Sequence, residues 1–139
     1  MRNRPTARVV HAALGAPGGP PTITFNVRED QWGGMLSSVG EGLAAPGAAR
    51  STRAVEVPYT TMDALLEGHQ GEIDVAVIDV EGHEVPLLQG FDLRRWRPKM
   101  LIIEGFEGDT PLTRYMSAFP YGRVRQAHNY VYIRDDLMP

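Results

Sequence analysis

The chain contains no cysteine. That excludes disulfides, thiolate–metal sites and cysteine nucleophiles. It agrees with a reducing compartment, and a cytoplasmic location is the expectation. No apolar run approaches the ~18 residues of a membrane helix, so no membrane partner is expected. An excess of positive charge is also lacking. Lys and Arg number 14 and Asp and Glu 17, a net charge of −3. Such a balance gathers neither nucleic acid nor anionic lipid. The basic start Met1-Arg2-Asn3-Arg4-Pro5 leads into no hydrophobic stretch and does not read as a secretory signal. There is no G-x-x-x-x-G-K-[ST] phosphate loop and no G-x-S-x-G nucleophile elbow. Gly40-Glu41-Gly42 has no strand before it, and Ala45 stands where a dinucleotide fingerprint needs its third glycine.

What is present suits a globular domain. Apolar residues make up 42% and charged residues 22% of 139 residues, a composition and length for one domain spanning 1–139. The first 52 residues are loose. They offer strands over 7–14 and 22–27, separated by the Gly15–Pro21 turn, which is rich in Gly and Pro. Residues 31–51 read as a long flexible loop with a short helix near Leu43.

From Arg53 the pattern alternates between strand and helix. Arg53–Val57 is a strand, and Thr60 or Thr61 caps a helix through Asp63-Ala64-Leu65-Leu66. Ile73–Val80 is almost continuously apolar, which predicts a central parallel strand covered on both faces. Glu84–Gln89 is a short helix stopped by Gly90, Lys99–Glu104 a second buried strand, and Pro111–Phe119 a helix. Val124–Ala127 and Tyr130–Arg134 form a closing hairpin around His128-Asn129. The expected fold class is α/β, a mostly parallel layered sheet with a C-terminal antiparallel hairpin.

The chemistry concentrates in Asp79-Val80-Glu81-Gly82-His83-Glu84. Ligands of open α/β sheets bind at the carboxyl ends of the strands, and Asp79 stands at one. Glu104 ends the next buried strand, so the two carboxylates should meet at one sheet edge. Glu81 and Glu84 also fit the start of a helix, where negative charge is favoured. His83 is a candidate proton acceptor, and equally a solvated loop histidine. His11, His69 and His128 fit no metal spacing. Arg94-Arg95-Trp96-Arg97 reads as a solvated face packed by one tryptophan. Asp79, Glu81 and Glu104 together offer the oxygen ligands that Mg²⁺ takes.

Several of these segments resemble the FkbM-family methyltransferases. Val55-Glu56-Val57-Pro58-Tyr59-Thr60-Thr61-Met62-Asp63-Ala64-Leu65 is similar to the family's "V-x-x-x-T-L-D-x-L" segment. Ile73–Glu84 resembles its "D-L-I-K-I-D-V-E-G-A-E" signature, with Val77 where the family usually has Lys. Leu87-Leu88-Gln89-Gly90, Leu101-Ile102-Ile103-Glu104 and Arg8–Gly15 resemble its "V-L-x-G", its later strand ending in Glu and its third-strand "A-L-G".

The resemblance implies a Rossmann-like class I fold and transfer of a methyl group from S-adenosylmethionine to a hydroxyl of a small molecule or sugar. It places Asp79 near the transferred methyl and the acceptor, with Glu81 and Glu84 completing the signature, and Ala12, Ala13 and Leu14 near the adenine edge. In such a reaction a carboxylate (Asp79, Glu81 or Glu104) or His83 would take the hydroxyl proton, the catalytic role expected of these four. The family's opening strand, its "D-x-G-A-N-x-G" turn and its second, acidic-ended strand have no counterpart in this sequence. The expectation is therefore a domain truncated on its N-terminal side, with weak cofactor binding and an unpaired apolar sheet edge. Self-association or a missing N-terminal half would resolve that edge. The alternative expectation is a non-catalytic interaction module.

Overall fold

The computed structural model of the chain describes residues 6–28, 38–39, 52–105, 108, 110–126 and 128–138. Its elements run β1 (Ala13–Leu14), β2 (Thr22–Arg28), β3 (Ser38–Val39), β4 (Thr52–Thr60), α1 (Met62–Leu65), β5 (Val75–Ile78), α2 (Glu84–Gln89), α3 (Leu93–Trp96), β6 (Met100–Glu104), α4 (Thr110–Met116), β7 (Tyr121–Gln126) and β8 (Asn129–Arg134). Apart from β3, the predicted 31–51 loop and its helix near Leu43 lie outside the described residues.

The strands form two four-stranded sheets, ordered β1-β4-β2-β3 and β5-β6-β8-β7. Both are mixed, which corrects the mostly parallel expectation. β1 pairs parallel with β4 and β5 parallel with β6, whereas the other described pairings are antiparallel. The reason lies in the connections. A parallel neighbour needs a crossover, which α2 and α3 supply between β5 and β6. β7 and β8 are joined directly and must turn back.

The core lies on one face of the second sheet. Ile78, Leu101, Ile103, Tyr130 and Tyr132 meet Leu87, Leu88, Phe91 and Leu93 of the α2–α3 region and Leu112 and Met116 of α4. All are nearly inaccessible to solvent, and each such aliphatic or aromatic side chain is worth about 1.5–3 kcal/mol when fully buried. The opposite face carries Val77, Ile102, Val131 and Val124 in one register row across the four strands. Val77 is 70% and Val124 49% exposed. Among the described residues β5 is thus an edge strand with one open face, not the covered central strand its composition predicts.

Local capping explains the short helices. Thr61 is the N-cap of α1, its hydroxyl oxygen accepting the Ala64 N–H at 3.1 Å. Asp92 caps α3 by accepting from Arg94 and Arg95. That helix has no periodic signal in the sequence, because its four residues carry only one buried side chain, Leu93. Arg95 stacks on Trp96 at 4.4 Å and Arg94 on Phe119 at 5.1 Å, so the basic run covers aromatic rings.

The two sheets are tied through α1 and α2. Gly15 donates to the Thr60 carbonyl and Asp63 donates to that of Gly90. Gly90 must be glycine for space, since a Cβ there would collide with the Gly15 carbonyl oxygen. No helix among the described residues is long and apolar enough to cross a membrane.

Candidate functional site

The parallel pairing of β5 with β6 sets Ile78 beside Ile103. Asp79 and Glu104, the next residues of the two chains, therefore emerge side by side at the carboxyl end of the sheet. Glu81 joins them from the following turn. One carboxylate oxygen from each of Asp79, Glu81 and Glu104 lies within 4.8 Å of the others. Asp79 and Glu81 are exposed and Glu104 is half-buried.

Three acidic groups this close repel one another when all are ionised. The effect falls on the least solvated member. Partial burial pushes the Glu104 carboxyl above the ordinary glutamate range, and the negative charges of Asp79, Glu81 and Glu84 push it further the same way. Both effects make Glu104 hold its proton more readily than a free glutamate does.

The turn that carries Asp79 and Glu81 is held from inside the protein. Glu81 has φ of 52° and Gly82 of 91°, a left-handed excursion that costs a non-glycine residue roughly 1–2 kcal/mol. Glu84, 7% exposed, lies beneath it. Its Oε1 accepts the Gly82 N–H at 3.0 Å and the Val80 N–H at 3.4 Å. The Val80 amide is thereby drawn from the ladder, which is why β5 ends at Ile78 although the apolar run continues. The sequence pattern places Glu84 at the start of a helix, where negative charge is favoured. It does open α2, but its carboxylate serves the preceding turn.

The other predicted site residues are placed differently. His83 is the N-cap residue of α2, half-buried, with no side-chain capping bond, and it stands outside the group of three. Ala12, Ala13 and Leu14 belong to the other sheet or its approach, where Ala13 and Leu14 pair with Tyr59 and Thr60. Leu14 packs against the main core. A cavity of about 310 Å³ lies by the C-terminal end of α1, lined by Arg8, Val10, Leu65, Leu66, Glu67, Gly68 and His69. It does not include the carboxylates. The three are close enough to surround an ion, but exposed acidic groups gather in many proteins without a metal, and the family match does not support the Mg²⁺ expectation.

The chain matches the family model for the methyltransferase FkbM domain over residues 3–131. It belongs to the FkbM methyltransferase family. No curated protein and no solved structure matches it.

Proposed function

We propose that the chain acts in S-adenosylmethionine-dependent methylation of a hydroxyl oxygen on a small molecule or sugar. The observation that carries this reading is the meeting of Asp79, Glu81 and Glu104 at the ends of two parallel strands in an FkbM-family chain. S-adenosylmethionine, when bound, supplies a methyl group on a cationic sulfonium. The residues at hand suit such a group: carboxylate oxygens attract a cation and accept hydrogen bonds from hydroxyls.

In this reading the exposed Asp79 orients the acceptor alcohol and takes its proton. General-base assistance of this kind contributes about 10²–10⁴-fold. Glu104, held above the ordinary glutamate range, gives up its proton less readily than a free glutamate and so eases the charge crowded there. Glu81 flanks the acceptor, and His83 is the relay to solvent. Ala12 to Leu14 form the rim on the adenine side.

The first test is calorimetric binding of S-adenosylmethionine to the folded chain, followed by methyl transfer to a panel of sugars and alcohols. Saturable binding below millimolar concentration, together with a loss of about 10²-fold or more in transfer on D79N, is the expected result. Absence of binding at millimolar concentration would reject the reading for this chain alone.

A further inference from the structure

Glu84 is the one buried charged side chain among the described residues. Burying a carboxylate is costly unless it is hydrogen-bonded, and its bonds go to the backbone of a neighbouring turn rather than to its own helix. That turn contains the left-handed Glu81. Without an acceptor beneath them, the Val80 and Gly82 amides would have no partner in this conformation, and the turn could relax toward the ladder. Glu81 would then swing away from Asp79 and Glu104.

We propose that Glu84 is a positioning residue: its Oε1 clamps the Val80–Gly82 turn and so sets the separation of Asp79, Glu81 and Glu104. Reach, rather than charge alone, is what the clamp requires. A glutamine at this position presents an oxygen at the same distance from the backbone. An aspartate keeps the charge but is one methylene shorter and falls short of the Gly82 N–H. The inference rests on the reading of this carboxylate group as the functional site, but its test needs no cofactor and no turnover.

The experiment compares E84Q and E84D with the unaltered chain by NMR. It follows hydrogen exchange at the Gly82 amide and titration of the Glu104 side-chain carboxyl. In E84Q the Gly82 amide should stay protected. In E84D it should exchange about ten-fold faster, the loss of one hydrogen bond. The Glu104 titration should fall toward the ordinary glutamate range in E84D, as the turn opens and its acidic neighbours spread. Amide signals of Leu101 and Leu112 report that the core remains folded. The proposal is overturned if E84D leaves Gly82 protected, or if Gly82 protection is lost while Glu104 titrates as before. Either result can be obtained whether or not the chain binds S-adenosylmethionine, so a failure here is distinct from a failure of the functional reading.

Discussion

The carboxyl of Glu104, at the end of β6, lies beside that of Asp79, one residue beyond the end of β5, with an oxygen of each within 4.8 Å of the other. Burial and the acidic groups around it both penalise the charged form of Glu104. The folded state therefore binds its carboxyl proton more tightly than the unfolded chain does.

The first prediction is the pH dependence that follows. Because the folded-state pKa of Glu104 is raised, its contribution to stability is full below the ordinary glutamate pKa. That contribution is lost as pH rises through the raised value. E104Q removes the titration. Its stability relative to the unaltered chain should increase as pH rises from 4 toward 7, as measured by urea unfolding across that range. An unchanged difference across the range would refute the assignment. Asp74 and Asp136 act in the opposite sense. Lys99 lowers the first and Arg134 the second, so what they add is present above the ordinary aspartate pKa and fades as pH falls through the lowered values.

A second prediction concerns Asp63. Its Oδ1 accepts the Trp96 indole N–H and the Asp92 amide, both at 2.8 Å, joining the start of α1 to α3. D63A should cost about 1–2 kcal/mol in chemical denaturation and change the fluorescence of Trp96. D63N, which keeps an acceptor oxygen, should recover most of that loss. Equal losses in the two variants would show that the acceptor is not what matters.

A third prediction tests the contact between the sheets. G90A places a Cβ against the Gly15 carbonyl. The backbone there is not left-handed, with φ of −95°, so the cost is one of space. Overpacking of this kind costs about 1–3 kcal/mol, and thermal unfolding should register it. G82A, with φ of 91° and open space around it, should instead be penalised through its backbone.

A fourth prediction addresses the open edge. Val77 is 70% exposed on a strand that has β6 as its only neighbour among the described residues. V77K should change stability by no more than about 0.5 kcal/mol and should reduce aggregation at high protein concentration, because charge on an edge strand discourages further pairing. A large loss of stability would mean that Val77 is covered in solution.

The sequence was most legible where local rules decide the structure. α2 begins at Glu84 and ends at Gln89, as its pattern indicates, and Thr61 caps α1 through its hydroxyl. Partner-dependent features were less legible. A β-branched run such as Val75–Ile78 looks alike at the centre of a sheet and at its edge; what differs is the neighbour, which the run does not encode. The 7–14 strand contracts to Ala13–Leu14, which pair with Tyr59 and Thr60 at the end of β4. In the site, the convergence of Asp79 and Glu104 could be inferred from two apolar runs that each end in an acid. The inward turn of Glu84 could not, since an acid at a helix start ordinarily faces its own free amides. Its distance of two and four residues from Gly82 and Val80 was the available signal.

The carboxylate group is assembled from a near part and a far part. Glu84 closes the turn bearing Asp79 and Glu81 across two to four residues, so the loop-closure entropy is small and this part can organise as soon as α2 does. Glu104 arrives only when β6 docks beside β5, bringing a fourth acid toward three already in place. Strand docking here does work against charge. Mild acid should therefore hasten the late stage of folding and leave formation of the turn unaffected, a kinetic separation that pH-jump refolding can resolve.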